Sequence, residues 1–177
     1  MLTVGDRFPE FDLAAVSGEE EPAIVRVTSS DSTGRWLIVF CWPMDFTTIC
    51  PTEIVGFGRV AGRLAELGTD VVGFSIDSEH AHLAWRRSQP HLRRLPIVLA
   101  SDVKRELSSA LGVLDRATGV ALRATFVVDP TGVIRFVSVH DLATGRNVDE
   151  VVRTLEALQA GAPTPCGWQP GDETLAS

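Results

Sequence analysis

The stretch that decides the fold runs from Trp36 to Pro51 and reads WLIVFCWPMDFTTICP. Its first seven residues, Trp36 to Trp42, are all apolar. A strand at this place would be buried on both faces, as in the centre of a parallel sheet. The stretch ends on Cys50-Pro51, and proline is common at the first position of a helix. We therefore expect a central strand, a loop, and a helix with Cys50 at its N-cap or in its first turn.

Strand and helix patterns alternate in the rest of the chain. We expect helices over residues 51–67 and 79–89, a helix capped by Ser101 or Asp102 that ends before Gly112, and a closing helix from Asn147. We expect strands over residues 71–76, 96–100, 121–128 and 133–139. A hairpin turn at 129–132 joins the last two strands. This order predicts one α/β domain over residues 1–161, with a mixed central sheet flanked by helices. Residues 162–177 are rich in Pro and Gly and have no periodicity, so we expect a separate C-terminal arm.

Charge and hydropathy exclude several classes of protein. The 177 residues carry a net charge of −7, which repels phosphate backbones, so we expect neither nucleic acid nor an anionic membrane as a partner. The longest apolar run falls far short of the ~20 residues that span a bilayer. The N-terminal residues have neither the basic nor the apolar region of a secretory leader. We expect a cytoplasmic protein.

The three cysteines differ in their surroundings. Cys50 lies at a helix N-terminus, where the free N–H groups and the helix dipole favour a thiolate. The negative charge of Glu53 in the same turn opposes this. On position alone, a reactive thiol and an incidental cysteine are equally supported. Cys41 belongs to the apolar strand and is best explained as a small core residue. Cys166 lies in the arm, where no core is expected, and is either incidental or placed to meet a partner sulfur.

The spacing of the cysteines and histidines gives no sign of a metal or cofactor. The chain has no Cys-x-x-Cys pair, and its four histidines do not group with a cysteine. We expect no metal, no other cofactor and no dithiol of the thioredoxin kind.

The residues from Pro43 to Cys50 resemble the active-site signature of the peroxiredoxins, Pro-x-x-x-Thr-x-x-Cys. The Pro-Thr-Glu that follows is similar to the typical two-cysteine branch, which includes the alkyl hydroperoxide reductase C subunits. Similar blocks follow in the family's order: SIDS with HLAW (75–85), SDVKREL (101–107), RATFVVD (123–129), GRNVDE (145–150) and CGW (166–168). The resemblance implies a thioredoxin-like fold with the family's N-terminal extension.

The resemblance also implies a role for each residue of the signature. Cys50 would be the peroxidatic cysteine, whose thiolate attacks a peroxide and becomes a sulfenic acid. Thr47 would hydrogen-bond the thiolate and the peroxide, and Pro43 would shield the sulfenate. Arg123 would stabilise the thiolate and the developing charge on the leaving oxygen.

Two further residues support the site in this reading: Glu53 would orient Arg123, and Trp85 lies in the block that follows the site. Taken singly, each of three residues has a simpler explanation: Pro43 ends a strand, Thr47 satisfies a loop, and Arg123 is a surface charge at the start of a strand. Their joint spacing favours the catalytic interpretation.

The family's cycle assigns Cys166 as the resolving cysteine. It would come from the arm of the partner subunit and form an intersubunit disulfide with Cys50. We expect a peroxidase for hydrogen peroxide and small alkyl hydroperoxides, built as a homodimer and as a ring of dimers. Thioredoxin, an AhpD-like carrier or a flavoprotein reductase would re-reduce it. The alternative is an oligomeric redox-sensing protein or holdase chaperone.

Overall fold

The computed structural model describes residues 1–175 and contains seven strands, five α-helices and one short 3₁₀ helix (Ser29–Ser32) in that range. The strands are β1 (Asp12–Ser17), β2 (Ala23–Thr28), β3 (Trp36–Cys41), β4 (Thr69–Ser75), β5 (Val98–Ser101), β6 (Arg123–Val128) and β7 (Ile134–His140). The helices are α1 (Cys50–Glu66), α2 (Glu79–Ser88), α3 (Pro90–Arg93), α4 (Glu106–Leu111) and α5 (Val148–Gln159).

All seven strands form one mixed sheet in the order β2-β1-β5-β4-β3-β6-β7. The pairs β3–β4 and β4–β5 are parallel, and the other neighbours are antiparallel. The predicted α/β class and mixed sheet are therefore confirmed. The expected central strand is also confirmed, because β3 lies between β4 and β6 and is buried from Leu37 to Cys41.

The two faces of β3 pack against different sets of side chains. Side chains alternate between the faces of a strand. Val39 and Cys41 join a hydrophobic core that includes Phe74 and Phe126. On the other face, the ring of Phe40 stacks on a ring of α1 (Phe57) with centroids 4.1 Å apart. This arrangement explains why no position of the strand is polar.

Gly73 in β4 makes room for the aromatic face. A Cβ atom at this position would lie 2.6 Å from the ring of Phe40 and 2.8 Å from the ring of Trp42. Contacts that short do not occur in folded proteins, so any side chain at position 73 would displace the residues that lead into the Cys50 loop.

The helix predicted to be capped by Ser101 or Asp102 begins at Glu106, later than a cap at either residue implies, and its N-cap position is Arg105. Residues 102–105 form a turn first, in which the Arg105 N–H donates to the Asp102 carbonyl at 2.7 Å. The Asp102 carboxylate still accepts hydrogen bonds from the Leu107 and Ser108 N–H groups, at 3.1 and 2.8 Å. Asp102 therefore caps α4 from outside the helix.

The chain forms two compact units, one from Met1 to Arg146 and one that begins at Asn147. The first contains the sheet and α1 to α4. The second contains α5, whose predicted start is confirmed: the Asn147 side chain accepts hydrogen bonds from the N–H groups of Asp149 and Glu150 at 3.0 and 3.3 Å. The boundary predicted at residue 162 stays a prediction. No helix among residues 1–175 is long and apolar enough to cross a membrane.

Candidate active site

Cys50 is the first residue of α1, with Ile49 as the N-cap and Pro51 in the first turn. Its predicted position is therefore confirmed. The N–H groups of a first turn lack partners within the helix, and together with the helix dipole they favour a negative charge. The Cys50 side chain has no exposed surface. A reactant can therefore reach its sulfur only if the structure around it opens locally.

Arg123 lies beside Cys50, although 73 positions separate them in the sequence. It is the first residue of β6, and its Nη1 lies 3.4 Å from Cys50 Sγ. Its Nε donates to the Leu142 carbonyl at 2.8 Å, which fixes the plane of the guanidinium group. The residue is only 3% exposed, so the explanation of Arg123 as a surface charge is wrong.

Glu53 joins two buried arginines one turn after Cys50. Its Oε2 accepts a hydrogen bond of 2.6 Å from Nη1 of Arg123, the nitrogen that also faces the Cys50 sulfur. Its Oε1 accepts two more, from Nε and the backbone N–H of Arg146, at 2.9 and 3.0 Å. Two guanidinium groups and one carboxylate leave one net positive charge, which a thiolate at Cys50 would neutralise.

Arg146 fixes this cluster to the sheet. Its Nη1 donates to the Ala124 carbonyl at 3.0 Å and to Thr125 Oγ1 at 3.1 Å, and its Nη2 donates to the Cys41 carbonyl. Its guanidinium carbon also lies 5.3 Å from the centre of the Phe40 ring, within range of a cation–π contact. Arg146 itself lies in the loop beyond β7, and these bonds tie it and the carboxylate that it contacts to β3 and β6.

The loop between β3 and α1 contains the other two residues of the signature. Thr47 is half-buried, and its hydroxyl donates to the Met44 carbonyl at 3.2 Å. That bond satisfies the Met44 carbonyl within the loop and leaves the hydroxyl oxygen able to accept a second hydrogen bond. Pro43 is buried two residues beyond the end of β3. Their proposed catalytic roles stay predictions.

A buried polar network anchors this loop to α2. The Asp45 carboxylate accepts a hydrogen bond of 2.9 Å from the Trp42 indole N–H and lies 2.7 Å from His82 Nδ1. The Asp45 N–H donates to the Asp77 carboxylate at 2.8 Å. His82 and Asp45 are nearly or fully buried, and buried polar groups that are satisfied in this way rigidify the structure around them.

Trp85 supports the same loop from α2. It is 1% exposed, and its ring centre lies 6.0 Å from that of Phe46 and 6.5 Å from that of Trp42. Phe46 has a φ of +55°, a conformation that non-glycine residues rarely adopt. Trp85 thus contacts the loop at its least relaxed residue.

Cys41 is enclosed and electrostatically unsuited to react. Its side chain has no exposed surface, and its thiol donates to the Leu122 and Ala124 carbonyls at 3.1 and 3.6 Å. Burial raises the pKa of the Cys41 thiol to about 12, and the charge of Arg146 only partly offsets this. The explanation of Cys41 as a core residue is consistent with these contacts.

Cys166 is an exposed free thiol in a tight turn of the second unit. The Trp168 N–H donates to the Pro165 carbonyl at 3.1 Å, and Gly167 has a φ of +75°. Trp168 is only 6% exposed, and its carbonyl accepts a hydrogen bond of 3.0 Å from Arg153 in α5. The expectation that this segment has no core to join is therefore wrong at Trp168.

Sequence reasoning missed three residues that build the site: Arg146, His82 and Asp45. Arg146 and His82 lie in blocks that carry the resemblance, and Asp45 lies within the signature itself. Their position in those blocks was the available signal, but no spacing rule links Arg146 to Glu53, 93 residues away. Among residues 1–175, no three His, Cys, Asp or Glu side chains come together as metal ligands.

Comparisons with known proteins agree with the geometry. The AhpC/TSA family model matches residues 4–137. Alkyl hydroperoxide reductase C of Mycolicibacterium smegmatis is 47% identical, over 99% of this chain and 94% of that protein. Peroxiredoxin-2 of Bos taurus is 42% identical, over 97% of this chain and 88% of that protein.

Solved structures give the same result. Mycobacterium bovis AhpC superposes with a TM-score of 0.88 at 44% identity, covering 96% of this chain and 99% of that chain. The reduced 2-Cys peroxiredoxin of Plasmodium vivax superposes with a TM-score of 0.90 at 30% identity, covering 98% of this chain and 93% of that chain. These likenesses confirm the thioredoxin-like peroxiredoxin fold and the resemblance found around Cys50, and the chain therefore belongs to the AhpC/TSA family.

Proposed function

We propose that this protein reduces hydrogen peroxide and small alkyl hydroperoxides at Cys50 and resolves the oxidised sulfur with Cys166. Its family makes it a thiol-dependent peroxidase enzyme, as the sequence resemblance predicts. The observation that carries the assignment of the site is the position of Cys50: a helix N-terminus with an arginine nitrogen 3.4 Å from its sulfur. That arrangement favours a thiolate, which is the nucleophile in this chemistry.

The first step oxidises Cys50. Its thiolate attacks one peroxide oxygen, the O–O bond breaks, and the other oxygen leaves as water or an alcohol after taking up a proton. Arg123 can stabilise the charge on the leaving oxygen from where it stands, since electrostatic groups that are fixed in advance need no reorganisation during the reaction. Glu53 and Arg146 hold Arg123 in place and act as positioning residues.

The loop supplies the remaining groups. The Thr47 hydroxyl would bind the peroxide and align its oxygens with the sulfur. Pro43 would limit access to the sulfenate. Because the Cys50 side chain has no exposed surface, any peroxide needs a local opening of the site, and the opening is smallest for a small peroxide.

The second step forms a disulfide. The Cys166 thiolate of the partner subunit attacks the Cys50 sulfenic sulfur and displaces hydroxide, which becomes water. A buried sulfur cannot meet an exposed one while α1 keeps its first turn, so we infer that this turn unwinds during the cycle. On the other side, the segment around Cys166 would have to loosen, which includes the hydrogen bond from Arg153 to the Trp168 carbonyl.

The proposal includes a homodimer, assembled further into a ring, in the cytoplasm. A dithiol partner must restore the two thiols, and thioredoxin, an AhpD-like carrier and a flavoprotein reductase all have the required chemistry. The three free cysteines suit a reducing compartment.

Matched thiol-to-hydroxyl variants test the assignment. With dithiothreitol as reductant, we expect Cys50→Ser to abolish peroxide consumption, and Cys166→Ser to consume peroxide without forming an intersubunit disulfide. Cys41→Ser is the control and should behave as the wild type, since the new hydroxyl can donate to the same carbonyls. Peroxide consumption by Cys50→Ser would overturn the proposal, as would loss of activity in Cys41→Ser with unchanged stability.

A further inference from the structure

Residues 80–101 are basic within an acidic chain. They contain four arginines and three histidines and no Asp or Glu, whereas the whole chain carries a net charge of −7. The arginines are Arg86, Arg87, Arg93 and Arg94. None of them contacts Cys50 or its charged neighbours. Their clustering therefore needs an explanation apart from peroxide chemistry.

Three of these arginines line one cleft of about 400 Å³, which we call the basic cleft. Its lining residues come from the turn after β1, the end of α2, and α3 with the residue that follows it: Glu20, Arg87, Ser88, Pro90, Arg93 and Arg94. The volume lies within the range of about 300–1,000 Å³ that is usual for small-molecule sites.

The fourth arginine, Arg86, builds the walls of the basic cleft. Its side chain is fully buried, and its Nη2 donates to the carbonyls of Gly18 and Leu95, both at 2.9 Å. Its Nε donates to the Leu92 carbonyl at 3.1 Å. One buried guanidinium group thus joins the turn that leads to Glu20 with the segment that carries Arg93 and Arg94. Within residues 1–175 its Nη1 has no hydrogen-bond partner.

The guanidinium groups of the basic cleft are not neutralised by the protein. In the described part of the chain, the Arg93 and Arg94 side chains make no hydrogen bond or ion pair, and Arg87 makes only a long bond of 3.4 Å to the Pro22 carbonyl. Glu20 balances one of the three positive charges at most. Like charges held in one cleft repel each other, and a multiply charged anion would relieve that repulsion.

The guanidinium groups of the basic cleft indicate which kind of anion would bind there. A guanidinium group offers a planar pair of donors that matches two oxygens of a phosphate, and such charge-assisted pairs are among the stronger hydrogen bonds in proteins. We propose that the basic cleft binds a phosphoryl ligand with two or more negative charges, either a free polyphosphate or a nucleoside polyphosphate. This site is separate from the peroxide site.

Calorimetric titration of the reduced full-length protein tests the proposal. The probes are tripolyphosphate and ATP at low ionic strength. We expect saturable binding of one probe molecule per chain that weakens as salt is added. Equal affinities would mean that only the phosphoryl groups are recognised, and tighter binding of ATP would mean that the nucleoside is contacted too.

Two double variants of equal charge separate a site from a general charge effect. Arg93→Gln with Arg94→Gln removes two guanidinium groups from the basic cleft, and we expect binding at least about tenfold weaker. Arg59→Gln with Arg116→Gln removes two exposed arginines elsewhere and should bind as the wild type does. The proposal is overturned if the wild type shows no saturable binding of either probe, or if both double variants weaken binding equally.

Discussion

Glu53→Gln tests the charged cluster beside Cys50 most sharply. The substitution keeps the size of the side chain but removes the only carboxylate that bonds Arg123 and Arg146 within the described residues. The amide oxygen can still accept the two hydrogen bonds of Arg146. The amide NH₂ then faces Nη1 of Arg123, so two donors meet where a bond of 2.6 Å existed.

The burial of Glu53 and Arg123 sets how much this substitution should lower the free energy of unfolding. Glu53 and Arg123 are both 3% exposed, and breaking a buried ion pair by removing one partner costs about 3–5 kcal/mol. In a protein of this size that corresponds to a fall in Tm of roughly 6–20 °C. Arg123 also loses the contact that fixes its Nη1 toward the Cys50 sulfur. A displacement of about 1 Å at a reacting centre can lower a rate by roughly 100-fold.

Two assays with one control decide the outcome. Thermal unfolding measures the stability of the reduced protein, and competition against a second peroxidase measures its rate with hydrogen peroxide. The control is Glu150→Gln, which removes a carboxylate from another arginine pair, Glu150–Arg153, whose side chains are 49% and 25% exposed. An exposed pair contributes about 0–1 kcal/mol, so the control should change little. If Glu53→Gln keeps both the Tm and the peroxide rate of the control, the Glu53 carboxylate neither stabilises the fold nor positions Arg123.

Three smaller predictions follow from single contacts. Thr47→Val should lower the rate with hydrogen peroxide by about 100-fold, because it removes the hydroxyl that would bind the peroxide. Thr47→Ser keeps the hydroxyl and should retain most of the wild-type rate. Equal rates for the two variants would contradict this role. Burial alone would raise the pKa of Asp129, but hydrogen bonds, first that of Thr131, outweigh it and lower this pKa to about 2. The stabilisation of the fold by ionised Asp129 is complete above about pH 4 and is lost as the pH falls to about 2. In urea unfolding, Asp129→Asn should therefore lower the free energy of unfolding by about 2 kcal/mol at pH 7 and by almost nothing at pH 2. An equal loss at both pH values would count against this. In the native protein, iodoacetamide at pH 8 should label Cys166 and leave Cys41 unmodified, which peptide masses will show. Equal labelling of the two residues would mean that Cys41 is not enclosed.

The sequence alone predicts the elements near Cys50 well because they depend on local patterns. The apolar run of β3 and the Cys50-Pro51 pair are enough to locate the strand and the helix start. The identification of Arg123 needed the family signature, since no local rule separates a buried arginine from an exposed one at the start of a strand.

The rest of the site depends on contacts between distant residues. Arg146 meets Glu53 only after β6 and the loop beyond β7 are in place. The Asp45–His82 contact requires α2 to pack beside the Cys50 loop. Trp168 follows a Pro- and Gly-rich stretch with no hydrophobic period, so its burial could not be read from the pattern. Side-chain pairing across the fold, rather than secondary structure, was the missing information.

In the proposed cycle, peroxide oxidises Cys50 and Cys166 of a second subunit resolves it. The most direct measurement is intact mass and peptide mapping of the reduced protein after one equivalent of hydrogen peroxide, without added thiol. We expect a covalent dimer in which Cys50 is linked to Cys166 and Cys41 remains a free thiol. A monomer with oxidised Cys50 and free Cys166 would contradict the resolving step, and an unmodified Cys50 would contradict its assignment as the peroxidatic cysteine.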